Sequence, residues 1–363
     1  MKLLDRYLLR ELVPPFLFGV AAFTIVFLAA NVLFTLTELL AQGRIGLWDA
    51  TKLLVFSMPW FMRFTFPMAM LLGGLLSLSR LSGEQETVAM AAGGVSFARL
   101  MVPFALAGCV VSVATLAFDE TVSPAADAAA QRILAAAGES RSDSQGVVLP
   151  GYQDGRLVSL LHAVRLNVRE GTMRDLILVV GEPGRPKMVV SAESARWRGR
   201  TWRFYDGKMM FPLDNMKPTV SFGSEGVQLD LRGTPKEIAQ RERKPSEMTW
   251  RELRAVIARL QTSGAPSAQI AQMVWELHNK IAVPFASLVF GLLAAPLAMR
   301  PQRSSRAWGF GISLLVIFVY YVIWSYLQAL AEGQVVPPWT AAWAPNVMGL
   351  FVAAGLIVRQ SRR

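Results

Sequence analysis

Six long apolar windows set the plan of the chain. Windows at 16–37, 53–78 and 100–118 precede a long polar insert, and windows at 281–299, 307–331 and 341–358 follow it. Each is close to the roughly 20 residues a helix needs to cross a ~30 Å hydrocarbon core. The first window follows a basic stretch with Lys2, Arg6 and Arg10 and ends in Thr37-Glu38-Leu39-Leu40. It is longer than the apolar core of a signal peptide, about 7–15 residues, and reads as a retained first span. The second window contains Pro59, Arg63 and Pro67, and the fourth contains Pro284 and Pro296. Prolines are tolerated in spans whose neighbours satisfy the carbonyls they release. The insert, 119–279, opens with an alanine-rich helical stretch at 124–137. Its character then changes to short runs at 146–149, 156–160, 176–180, 188–192, 201–205, 220–222 and 227–231, broken by Gly, Pro and Asp. Runs of that length and spacing predict an all-β sandwich or barrel. A charged linker at 236–244 leads to Thr249-Trp250-Arg251-Glu252, a capping box. The stripe Trp250, Leu253, Val256, Ile257 and Leu260 then marks one helix face, with Gly264 as its stop.

The connector at 81–94, between the second and third windows, is helix-prone and acidic at its start. Ser82 with Gln85 fits a capping box, and Gly93-Gly94 fits a helix stop. The connector thus presents Glu84 and Glu86 beside the membrane. A solvated loop and a docking helix for a soluble partner both fit these residues. Orientation follows from basic residues in the short loops. Loops on the N-terminal side carry 11 (Lys2, Arg6, Arg10, Arg80, Arg99, Arg300, Arg303, Arg306, Arg359, Arg362 and Arg363), against Arg44 and Lys52 opposite. This bias puts both termini and the connector inside and the β insert outside.

Composition agrees with this plan. The chain is 53% hydrophobic and only 17% charged, against about 25% charged in an average globular protein. A net charge of +11 would suggest nucleic acid in a soluble chain, but here it flanks apolar windows, so no nucleic-acid partner is expected. One cysteine, Cys109, lies in an apolar window and builds no disulfide framework. The sequence contains no phosphate-binding G-x-x-x-x-G-K-[ST] loop, no G-x-S-x-G elbow and no H-E-x-x-H pair. No metal site, cofactor or catalytic group of its own is expected. Acidic residues are absent from the apolar windows, and Asp119 and Glu120 read as solvated span ends. His162 and His278 lack an orienting partner and read as surface and interfacial residues. Gly73, Gly74, Gly291, Gly309 and Gly311 read as points of close helix packing. Arg44, Lys52 and Arg63 form a basic set on the outer side. Headgroup contact and snorkelling explain it, and so does a site for the phosphates of an anionic lipid.

Four features together resemble the LptF/LptG (YjgP/YjgQ) permeases of lipopolysaccharide export. They are Leu4-Asp5-Arg6-Tyr7 before span one, Glu86 with Gly94-Val95-Ser96 in the connector, the Glu276-Leu277-His278-Asn279-Lys280 block running to Pro296, and the three-span, β, three-span plan. The resemblance implies an α-helical membrane protein with six transmembrane helices and an inserted periplasmic β-jellyroll-like domain. Its parts would be spans one to three with the coupling helix 81–94 (1–118), the β domain with flanking helices (119–279) and spans four to six (280–363). It further implies a multi-pass protein of the bacterial inner membrane that works with a second LptF/LptG-like permease. An LptB-like ATPase dimer would hydrolyse ATP beneath it, and an LptC/LptA-like bridge would receive lipopolysaccharide or a similar anionic lipid. Glu84, Glu86, Gly93 and Gly94 would then couple to the ATPase. Some members carry lysines at the outer end of span one, where this chain has Thr35-Leu36-Thr37-Glu38. A membrane scaffold for envelope assembly and a lipid-modifying membrane enzyme are the alternatives from other classes; co-purification of an ATPase separates the scaffold from the transporter.

Overall fold

The computed structural model describes residues 3–136, 147–153, 156–167, 170–182, 185–199, 201–212, 218–229, 234–235, 238, 245–262, 264–298 and 306–361. Most of the charged linker lies outside these residues, as do Lys2, Arg300, Arg303, Arg362 and Arg363 of the basic count. The helices are α1 (Leu3–Asn31), α2 (Leu33–Ala41), α3 (Leu47–Gly83), α4 (Glu86–Ala92), α5 (Phe97–Thr121), α6 (Ser123–Ala136), α7 (Trp250–Thr262), α8 (Ser267–Ala298), α9 (Arg306–Glu332) and α10 (Pro338–Ser361). The strands are β1 (Val147–Gln153), β2 (Arg156–Asn167), β3 (Thr172–Glu182), β4 (Arg185–Arg198), β5 (Thr201–Met210), β6 (Thr219–Phe222) and β7 (Val227–Leu229). Two compact units result, one of Met1–Ala130 with Ala271–Arg363 and one of Gln131–Ile270.

Among the described residues, six helices are long and apolar enough to cross a membrane: α1, α3, α5, α8 and most of α9 and α10. They outrun the apolar windows. α1 begins at Leu3 and passes through Pro14 and Pro15, and α3 runs for 37 residues through Pro59 and Pro67. At 1.5 Å per residue α3 is about 55 Å long, so its polar ends extend well past any hydrocarbon core. The core of this unit lies between α3, α5 and α8, where Met70, Leu71, Leu75, Leu78, Phe104, Phe290 and Ala294 are buried together. Glycines set the spacing of α3 against α1 and of α5 against α8. A Cβ at Gly73 would lie 2.9 Å from the Phe16 backbone nitrogen, and one at Gly108 would lie 2.7 Å from the Ser287 carbonyl. Gly74, Gly291 and Gly309 also meet neighbouring helices, whereas Gly311 faces open space. α1, α9 and α10 leave Phe18, Ile25, Phe318 and Phe351 exposed, which suits helices bathed in lipid rather than water.

The second unit is one antiparallel sheet in sequence order, β1-β2-β3-β4-β5-β6, with β7 pairing β5 beyond β6. All seven expected strands exist, but they form a single meander, neither closed as a barrel nor paired as a sandwich. A jelly roll crosses between two sheets, and the described strands make no such crossing. One face is buried, through Leu161, Ala163, Met173, Leu176, Leu178, Val190, Ala192, Ala195, Trp202 and Phe204, with Ile238 packed on it. Three strands, β3, β4 and β5, are longer than their apolar runs for a specific reason. The row Val164, Asp175, Glu193, Asp206 is missing from ladders that continue on both sides of it, and Asp175 and Asp206 have φ of 50° and 51°. The buried positions change phase across this row, from Ala163 to Leu166 and from Ala192 to Ala195. A strict period of two therefore ends the strands there, while the hydrogen-bonded ladder resumes on the far side.

Candidate functional site: the α4 connector and a buried charge cluster

The connector is organised differently from the expected single helix over 81–94. α3 continues to Gly83, so Ser82 lies inside it and cannot cap a new helix. Gln85 takes a left-handed conformation (φ 57°) and precedes α4 with no side-chain capping bond. The distal end forms as expected. Gly94, at φ +82°, donates to the Ala91 carbonyl, and Val95 donates to the Met90 carbonyl at 3.0 Å. This is the paired bonding of a Schellman stop, where glycine takes the left-handed position without penalty.

Within α4, Thr87 is buried and Met90 packs on the helical core, while Val88, Ala89, Ala91 and Ala92 are exposed. Glu86 is half-buried, and its Oε2 accepts a hydrogen bond from the Tyr7 hydroxyl of α1 at 2.7 Å, a length typical of a charge-assisted bond. Among the described residues its other oxygen makes no hydrogen bond. Glu84 is exposed and pairs with Arg80 at 3.1 Å, and Arg80 also pairs with Glu11 at 2.5 Å. Arg99, at the start of α5, pairs with Asp5 at 2.5 Å. The two carboxylates of the connector thus differ: Glu84 bonds along its own helix end, and Glu86 bonds across to α1.

The structure does not gather Arg44, Lys52 and Arg63. Arg44 is exposed in the turn between α2 and α3. Lys52 pairs with Asp49 at 3.1 Å and lies over the exposed Trp48 ring, an arrangement suited to a membrane–water interface. Arg63 neither snorkels nor faces a wet surface. It is 4% exposed, bonded to Glu276 of α8 at 3.2 Å and stacked on Phe64. Beside this pair, Lys280 of α8 bonds Asp119 of α5 at 3.3 Å, with both side chains buried. Two expectations are corrected here. Acidic residues are present in the spanning helices, and Asp119 is a core residue rather than a solvated one. α5 runs three residues past the end of its apolar window, and α8 begins 14 residues before its own, so polar residues beyond a window are still covered by neighbouring helices. Glu276 and Lys280, four apart on one helix and just ahead of an apolar window, are the signal that could have found the cluster. His278 of the same turn is half-buried. Among the described residues no group of three His, Cys, Asp or Glu is placed to hold a metal ion.

Six lipid-length helices, a separate β-sheet and a short connector helix between two spans define a multi-pass membrane protein. The family model for the lipopolysaccharide export system permease LptF/LptG matches residues 6–359, and the chain belongs to that family. It is similar to the lipopolysaccharide export system permease protein LptG of Escherichia coli strain K12, at 25% identity over 333 residues and 88% of each chain. The LptG of E. coli O6:H1 matches to the same extent. Membership carries a permease role in lipopolysaccharide export, in a family whose members are permease subunits without an ATPase site of their own.

Proposed function

We propose that this chain is the permease subunit of an ATP-driven exporter. It takes lipopolysaccharide or a similar anionic lipid from the inner membrane and passes it to a periplasmic LptC/LptA-like bridge, working beside a second LptF/LptG-like permease. An LptB-like ATPase dimer seats on α4 and supplies the energy. The observation that carries this reading is α4 itself, a short helix joined directly to α3 and α5 with Val88, Ala89, Ala91 and Ala92 exposed. Small side chains allow close seating in a partner's groove, and Glu86 keeps one carboxylate oxygen for a basic residue of the ATPase. Glu84 sits at the rim, and Gly93-Gly94 fixes where α4 ends.

The 11-to-2 basic bias supports cytoplasmic termini, a cytoplasmic α4 and a periplasmic sheet. The sheet is the lipid-passing domain. Arg44 and Lys52 contact lipid phosphates at the outer interface, while Arg63 belongs to the core cluster. The test is purification from native membrane in mild detergent with the bound proteins and lipid identified together. Recovery of an ATPase with lipopolysaccharide supports the transporter, and recovery of envelope-assembly proteins without an ATPase supports the scaffold alternative.

A further inference from the structure

We propose that Tyr7 is the positioning residue that relays movement of α4 to α1. This rests on the reading of α4 as the seat of the ATPase. α4 is continuous in sequence with α3 and α5 but not with α1, whose contacts with it are non-covalent. A displacement of α4 therefore reaches α1 only through packing and polar contacts. The first three turns of α1 are built for this. At 100° per residue, Leu4, Leu8 and Leu12 form one stripe, with Leu8 and Leu12 buried in the helical core. Tyr7 and Glu11 flank the stripe on one side and Asp5 flanks it on the other, while Arg6 and Arg10 face away and are exposed. All three flanking residues bond to the segment around α4: Glu11 to Arg80 before it, Tyr7 to Glu86 within it and Asp5 to Arg99 after it. Only the Tyr7 bond is made by α4 itself.

Glu86 holds Tyr7 with Oε2, and its other oxygen makes no hydrogen bond among the described residues. One carboxylate can therefore join an ATPase cation on one side to the α1 hydroxyl on the other. Pro14 and Pro15 follow the bonded turns at once. Each lacks a backbone N–H, so the α1 ladder is weakened there, and a push on the first turns bends α1 at that point.

The test uses the full transporter complex in proteoliposomes containing lipopolysaccharide, with Tyr7→Phe, Glu86→Gln and the double variant. Tyr7→Phe removes only the hydroxyl. Co-elution of Tyr7→Phe with the ATPase should match the parent, while lipopolysaccharide extracted per ATP hydrolysed falls at least about threefold. The double variant should extract no less than Glu86→Gln alone, since residues that act through one bond are not additive. An unchanged ratio in Tyr7→Phe, multiplied losses in the double variant or lost co-elution each overturn the relay. A second readout needs no ATPase. Spin labels at Arg10→Cys and Ala89→Cys in the permease should give a broader distance distribution with Tyr7→Phe, and an unchanged distribution overturns the relay. Should Val88→Glu leave co-elution intact, the seat on α4 is wrong, and the spin-label result still decides the Tyr7 contact by itself.

Discussion

Replacing Glu276 by leucine strands Arg63. The guanidinium is 4% exposed and 3.2 Å from its carboxylate partner. At an effective dielectric of about 20, a pair at that distance attracts by about 5 kcal/mol, and removing one member of a buried pair costs about 3–5 kcal/mol. The lower end is expected here, because Asp119 is near enough to add to the field at Arg63 and softens the loss. Arg63 Nη1 also has no acceptor among the described residues, so the intact pair already carries a desolvation cost that its bonds only partly offset. Arg63→Met with Glu276→Leu should therefore recover most or all of the stability that Glu276→Leu loses. The assay is reversible unfolding of the purified protein in mixed micelles of mild detergent and dodecyl sulfate. If Glu276→Leu is as stable as the parent, or if the double variant is no better than the single one, Arg63 does not depend on Glu276 and the cluster is not a core element.

Three further outcomes are expected. Glu86→Ala should weaken ATPase association or reduce lipid release per ATP, because a charge at an interface centre is worth about 2–5 kcal/mol, while insertion into the membrane is unaffected. Glu84→Ala should do less, since its pairing with Arg80 is exposed and such pairs contribute about 0–1 kcal/mol; co-elution and coupled ATPase assays read both. The sheet unit expressed alone as 131–270 should give a β-type circular dichroism spectrum and unfold cooperatively, because its core of Trp202, Phe204, Leu161 and Val190 is its own; a disordered fragment contradicts this.

The membrane plan was legible because apolar windows of spanning length leave few alternatives, and the seven short runs each marked a real strand. The helix ends were not legible, since hydropathy stops at the edge of a window while backbone hydrogen bonding continues. That is why the pattern predicts one helix over 81–94, whereas α3 runs on through Ser82 and the break falls at Gln85, a residue with no special preference for the left-handed region. The thermodynamics of Arg63 was readable only as a problem, a charge that needed a reason. Its answer lies 213 residues away at Glu276, beyond any local pattern. Tyr7 and Glu86, 79 residues apart, each belong to a motif shared with the family, yet nothing in either segment indicates that they touch. The burial of Arg63 was not legible either, because sharing a side of the membrane with Arg44 and Lys52 does not fix burial, which for Lys52 and Arg63 depends on the face of α3 each occupies.

A photo-crosslinking residue at Val88, which is 64% exposed at the middle of α4, tests the seat of the ATPase most directly. Placed there in cells that are actively exporting, it should capture the ATPase subunit in high yield, and a probe at the exposed Ser221 of β6 should capture none. Cysteine labelling in the same cells should find Ser82→Cys shielded from an outside reagent and Ser221→Cys open to it. Export at the normal rate with no ATPase adduct at Val88, or labelling of Ser82→Cys from outside, would contradict α4 as the point where ATP hydrolysis enters this permease.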